Sequence, residues 1–87
     1  MYRLKFLDRA IKDLDGIDRS FQKIIKAKLE ILAEDPRALK SNIIAIKGET
    51  DLFRLRIGSY RVIFRKNELE LIILIVRIGH RKDVYRP

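Results

Sequence analysis

The stretch Leu52-Phe53-Arg54-Leu55-Arg56-Ile57-Gly58-Ser59-Tyr60-Arg61-Val62-Ile63-Phe64 decides how this chain is read. Its first six residues alternate, the period of a strand with one face buried. Phe53, Leu55 and Ile57 share one face, and Arg54 and Arg56 share the other. Gly58-Ser59 is a two-residue connection with Gly at the first central position, which suits a type II′ hairpin. Tyr60 to Lys66 is then the returning strand. The short turn fixes the register: Ile57 faces Tyr60, Arg56 faces Arg61, Arg54 faces Ile63, and Arg65 lies on the same side. Three or four guanidinium groups thus gather on one face of one hairpin.

Outward from the hairpin, the remaining elements follow. Tyr2 to Phe6 alternates and predicts a short strand with Tyr2, Leu4 and Phe6 on one face. Ala10, Ile11, Leu14 and Ile17 form a helical stripe, with Asp8 as its N-cap and Gly16 at its end. A second helix starts at Asp18 or Ser20, presents Phe21, Ile24, Ile25, Leu29 and Leu32, and stops at Asp35-Pro36. The connection between the helices is so short that they pack as an antiparallel hairpin. Residues 37–51 read as polar and irregular, with a turn at Lys47-Gly48-Glu49. After a turn at Asn67-Glu68, Leu69 to Ile78 is apolar at both parities, which predicts a strand buried on both faces at the sheet centre. Gly79 ends that strand, and His80 to Pro87 is a basic tail. The order β-α-α-β-β-β predicts an α+β fold, a helical hairpin packed on a small, mainly antiparallel sheet, as one domain over residues 1–87.

Composition narrows the function. The 87 residues carry 20 Lys and Arg against 12 Asp and Glu, a net charge of +8. Residues 52–87 hold +6 of it and residues 1–51 only +2, so the second half is the part expected to face a polyanion. The absence of Cys excludes disulfides, thiol nucleophiles and Cys-based metal sites, and the single His leaves no His-rich site. No signal-peptide pattern opens the chain, and its longest uncharged apolar run, Leu71 to Val76, is too short to span a bilayer. A soluble, cytoplasmic, basic protein with no membrane partner is expected.

Arginines on a sheet face also serve as solvated cover, their stems lying over apolar neighbours. Arg56 directly opposite Arg61 argues for more, because facing like charges destabilise a sheet and an anion between them relieves the conflict. Phosphate suits guanidinium forks best. The tail adds Arg81, Lys82 and Arg86, together with His80 and Tyr85, and folded back it would bring an imidazole and a phenol to the cations. His80 is the natural proton carrier near neutrality, and neighbouring cations favour the phenolate of Tyr85. There is no phosphate-binding Gly-rich loop, no Ser/His/Asp arrangement, and no carboxylate set after Asp51 for two-metal phosphodiester cleavage. RNA offers another route, since its own 2′-OH can attack the adjacent phosphorus. The protein then supplies a base, positive charge for the transition state and an acid for the 5′-oxygen, and needs no metal or cofactor.

The run Leu52 to Phe64 resembles the core motif of the RelE/ParE toxin superfamily, as does Ile78-Gly79-His80-Arg81-Lys82-Asp83-Val84-Tyr85. The resemblance covers nearly the whole chain and implies a RelE-like fold and a toxin of a toxin–antitoxin module with a RelB-like antitoxin as partner. In the RelE branch the activity is cleavage of mRNA in the ribosomal A site; in the ParE branch it is poisoning of DNA gyrase. Carried over, Arg61 and Arg54 would stabilise the phosphorane and Arg56 would orient or assist proton transfer. Tyr85 would activate the 2′-OH or stack on a base, and Arg81 would stabilise the leaving oxygen. Arg65, Lys82 and Arg86 would contact RNA. The familiar bacterial pattern has Lys where Arg54 and Arg56 stand, which leaves the base open and keeps His80 a candidate. The basic set with Tyr85 favours ribosome-dependent mRNA cleavage, to a 2′,3′-cyclic phosphate and a 5′-OH, over a gyrase inhibitor or an inactive basic binding module.

Overall fold

The computed structural model describes residues 1–82, and Tyr85 and Arg86 lie outside the described residues. In chain order the elements are β1 (Arg3–Phe6), α1 (Asp8–Asp15), α2 (Arg19–Glu34), a 3-10 segment (Pro36–Asn42), β2 (Ile43–Ala45), β3 (Leu52–Ile57), β4 (Tyr60–Asn67) and β5 (Ile72–His80). The strands form one sheet in the order β1-β5-β4-β3-β2, parallel between β1 and β5 and antiparallel elsewhere. This is the expected α+β fold with two additions, since the 3-10 segment and β2 both fall in the stretch read as irregular. Three residues carry no visible period; pairing with β3 makes Ile43, Ile44 and Ala45 a strand.

The apolar face of the β3–β4 hairpin builds the core. Leu55, Ile57, Val62 and Phe64 are buried in one cluster with Ala10 and Leu14 of α1 and Ile25, Leu29 and Leu32 of α2. Each such side chain contributes roughly 1.5–3 kcal/mol by leaving water. Phe21 and Ile24, expected in the buried stripe, stay 45% and 48% exposed. The buried face of α2 is instead Ile25, Leu29, Leu32 and Ala33. Gln22 fixes the helical hairpin, its amide nitrogen donating to the carbonyls of Leu14 at 2.9 Å and Ile17 at 2.8 Å. Asp18 holds the N-cap position of α2, but Leu7 rather than Asp8 holds that of α1. The Leu7 N–H is still bound to the Ile75 carbonyl at 3.0 Å, so β1 runs straight into the helix.

β5 differs from its expected form in place and length. β4, not β5, is the central strand. A bulge opposite Ile63 and Phe64 skips Val76, so Ile75 and Ile78 both reach the main core. Val76 turns to the other face, beside a smaller cluster of Leu52, Ile63 and Ile46. That is why the strand reads as apolar at both parities. It starts at Ile72 because the Asn67 side-chain oxygen accepts the N–H groups of Leu69 (3.0 Å) and Glu70 (2.9 Å), shaping a four-residue loop. It runs on through Gly79 to His80, which pairs with Tyr60. Among the described residues no helix is long and apolar enough to cross a membrane.

One ion pair ties α1 to the sheet beyond the end of β1. Asp13 accepts from Arg77 Nε at 2.8 Å and from the Ile78 N–H at 2.9 Å, with Arg9 one helical turn away at 3.5 Å. Partial burial alone would raise the Asp13 carboxyl. The hydrogen bonds from Arg77 and Ile78 and the charges of Arg77 and Arg9 outweigh it and hold the carboxyl below its usual range. A carboxyl depressed in the folded state adds stability that is present at neutral pH and lost as pH falls through its folded value, below about 4. Asp13→Ala is expected to lower unfolding free energy by about 2 kcal/mol at pH 7, read by urea denaturation, with the gap to the parent closing toward pH 3.

Candidate nucleic-acid interface

The face of the sheet opposite the helices carries the arginines. In the observed register Arg56 lies directly opposite Arg61, Arg54 opposite Ile63, and Leu52 opposite Arg65, as the two-residue turn predicts. Gly58 takes φ +59° and Ser59 does not take positive φ, the pattern of a type II′ turn in which Gly is required at the first position. Three strands meet at this turn. Arg61 Nη1 donates to the carbonyls of Gly58 (3.0 Å) and Tyr60 (2.9 Å), and the Arg81 N–H donates to the Ser59 carbonyl at 2.8 Å. The Arg61 guanidinium is pushed down from its ordinary range by burial, then by the charges of Arg56, Arg54 and Arg81. It remains a cation, with Arg54, Arg56 and Arg81 close enough for their charges to act on it.

Arg54, Arg56 and Arg61 line a recess of about 230 Å³ with Ser41, Asn42 and Ile44. None of these lining residues is acidic. Ser41 and Asn42 come from the 3-10 segment, and Ile44, 59% exposed, pairs with Arg54 across β2 and β3. No local sequence pattern marks these three, because only the pairing of a three-residue edge strand brings them to the arginines. Two hydroxyl- or amide-bearing side chains and three guanidiniums around one opening can hold a phosphate and its neighbours.

The structure does not gather every expected residue there. His80 pairs with Tyr60, and Gly79 takes the place opposite Arg61, so strict alternation sends the imidazole to the helix side. It stands edge-on to Tyr60, ring centroids 5.9 Å apart, while Tyr60 packs on Phe21 at 5.3 Å. His80 thus lines a separate recess of about 470 Å³ with Asp13, Tyr60 and Arg77, across the sheet from the arginine cluster. Arg65 is on the arginine face but at its other end, donating to the Thr50 carbonyl at 3.0 Å beside Asp51 and Glu68. Lys82 is exposed just beyond Arg81. Among the described residues no group of three or more His, Asp or Glu side chains is placed to hold a metal ion.

The sequence profile of the family described as "ParE toxin of type II toxin-antitoxin system, parDE" matches residues 4–85. The chain is a member of the RelE/ParE toxin superfamily. Its relatives put it in the RelE branch. Toxin RelE3 of Methanocaldococcus jannaschii is 31% identical over 85 residues, covering 95% of this chain and 94% of that one. The mRNA interferase toxin RelE of Escherichia coli K12 is 25% identical over 88 residues, covering 97% and 90%. The RelE of the archaeal RelE–RelB complex from Pyrococcus horikoshii OT3 superposes with a TM-score of 0.80 at 27% identity, over 95% of this chain and 98% of that one. This RelE-like toxin therefore carries, on a fold shared with those relatives, a sheet face on which like charges oppose one another. In Arg56→Gln the facing repulsion is gone. We expect a gain of about 0.5 kcal/mol in low salt, shrinking as NaCl is added, and a smaller stabilisation by inorganic phosphate than in the parent. Thermal melts with and without each salt read all three.

Proposed function

We propose that this RelE-like toxin is a ribosome-dependent mRNA endonuclease held in check by a RelB-like antitoxin. The observation that carries the reading is the convergence of Arg54, Arg56 and Arg61 around one recess, with Arg81 beside Arg61 and no acid among the described lining residues. Attack of an RNA 2′-OH on its own phosphodiester makes a dianionic phosphorane, and fixed guanidiniums stabilise that charge more than they stabilise the ground state. Arg61, pinned over the turn, and Arg54 face the phosphorane, Arg56 orients it, and Arg81 stands toward the leaving 5′-oxygen. The P–O5′ bond breaks, leaving a 2′,3′-cyclic phosphate, and the departing 5′-oxygen takes a proton from water to give a 5′-OH. Arginine is a poor base, so proton removal from the 2′-OH falls to Tyr85, the role that the resemblance implies. His80, across the sheet, is left out of this step. Support for the antitoxin comes from the relatives, whose solved structures include the archaeal RelE–RelB complex.

The matched family profile is named for ParE toxins, which keeps gyrase inhibition as the second reading. Mapping mRNA 5′ ends on translating ribosomes separates the two. The parent chain is expected to produce new 5′-OH ends within codons, and Arg54→Ala and Arg61→Ala each to lower their yield about 10²–10³-fold with unchanged circular dichroism. Unaltered cleavage in both variants would show that the site is elsewhere. DNA damage with intact mRNA would favour the gyrase reading.

A further inference from the structure

We propose that the nucleic-acid surface of this toxin extends past the arginine recess to the far edge of the sheet, where Arg3 and Lys5 of β1 hold phosphates of a single RNA strand. The inference rests on the RNA reading of the recess and adds a second anchoring point to it. β1 alternates: Leu4 and Phe6 pack on the core, so Arg3 and Lys5, both exposed, project from the other face. The cross-strand register says which face that is. Lys5 is aligned with Leu74, Leu74 with Arg65, and Arg65 with Leu52, so one row crosses four strands on the side that bears Arg54, Arg56 and Arg61. Arg3 is aligned with Ile72, and Ile72 with Asn67, in the next row.

Neighbouring strands lie ~4.8 Å apart, so Lys5 stands ~10 Å from Arg65 and about one strand further from β3. Between these cations the face is aliphatic: Leu74 and Val76 are partly buried, and Ile63 and Leu52 lie below them. Cations on both flanks of an apolar strip suit a flexible single strand, whose phosphates meet the cations while its sugars and bases cross the strip. Arg65 is the weaker link, because its guanidinium already donates to Thr50 and Asp51 and Glu68 line the space beside it. Arg3 and Lys5 therefore carry the far contact. Such contacts set position and register without reading sequence. The strand thereby gains a direction across the sheet, from β1 toward the recess.

The test uses the full chain and a short single-stranded RNA with 2′-O-methyl riboses, which it cannot cut by 2′-OH attack. Affinity is followed by fluorescence anisotropy over a series of salt concentrations. Arg3→Ala/Lys5→Ala is expected to reduce the slope of log affinity against log salt by about 1.4, two phosphate contacts on a single strand. Lys23→Ala/Lys26→Ala removes the same charge from exposed positions on α2, on the helix side, and is expected to leave that slope nearly unchanged. Equal losses in the two variants would mean undirected attraction to a basic protein and would overturn the proposal. So would an unchanged slope in the β1 variant, or a parent chain that fails to bind the oligonucleotide at low salt. The nuclease reading fails separately: a parent that binds along this track but leaves ribosomal mRNA intact sinks the cleavage and spares the track.

Discussion

Two arginines held face to face across a two-residue turn are the constraint around which this molecule is organised. Arg56 opposes Arg61 because the other side of the same hairpin has no freedom: Leu55, Ile57, Val62 and Phe64 are buried in the core, and a one-residue slip would expose all of them. The burial of four large side chains outweighs the repulsion of one partly exposed pair by several kcal/mol. The fold therefore keeps the conflict and steadies one of the two partners. Arg61 is tied to the Gly58 and Tyr60 carbonyls, and Arg81 enters the same field through its backbone bond to Ser59. The result is a recess lined by three arginines on the face of the sheet opposite the helices.

The contrast with Arg77 sharpens the point. That arginine, partly buried on β5, has a carboxylate partner in Asp13, and together they dock α1 on the sheet. The chain thus supplies an acid to an arginine that serves the fold. Arg54, Arg56 and Arg61 line a recess on the other face whose remaining described residues are Ser41, Asn42 and Ile44. The two faces of the sheet differ accordingly, one packed against α1 and α2 and the other bearing Arg54, Arg56 and Arg61 beside a small apolar cluster.

Most of the architecture is legible in the sequence because its signals are local. Alternation in Leu52 to Ile57 and the Gly58-Ser59 turn suffice to set the register that pairs Arg56 with Arg61. The helical stripes and the Asp35-Pro36 stop delimit α1 and α2 to within a residue or two. What is not legible depends on pairing over a distance. β2 is too short to show a period, so Ser41 and Asn42 give no sign of joining the arginines. The bulge that skips Val76 changes which side of β5 faces the core, and it arises from packing against β4. The reach of β5 through Gly79 sends His80 to Tyr60 and the helices, where a loop would have left it free to fold back.

The central claim is that these guanidiniums act together on one phosphate. Nitrogen-15 NMR of the arginine Nε–H groups, titrated with a 2′-O-methyl dinucleotide, tests it most directly. The account predicts that the resonances of Arg54, Arg56 and Arg61 shift together with a single dissociation constant while those of Arg9 and Arg37 stay in place. Shifts spread evenly over all the arginines, or confined to those outside the hairpin, would contradict it.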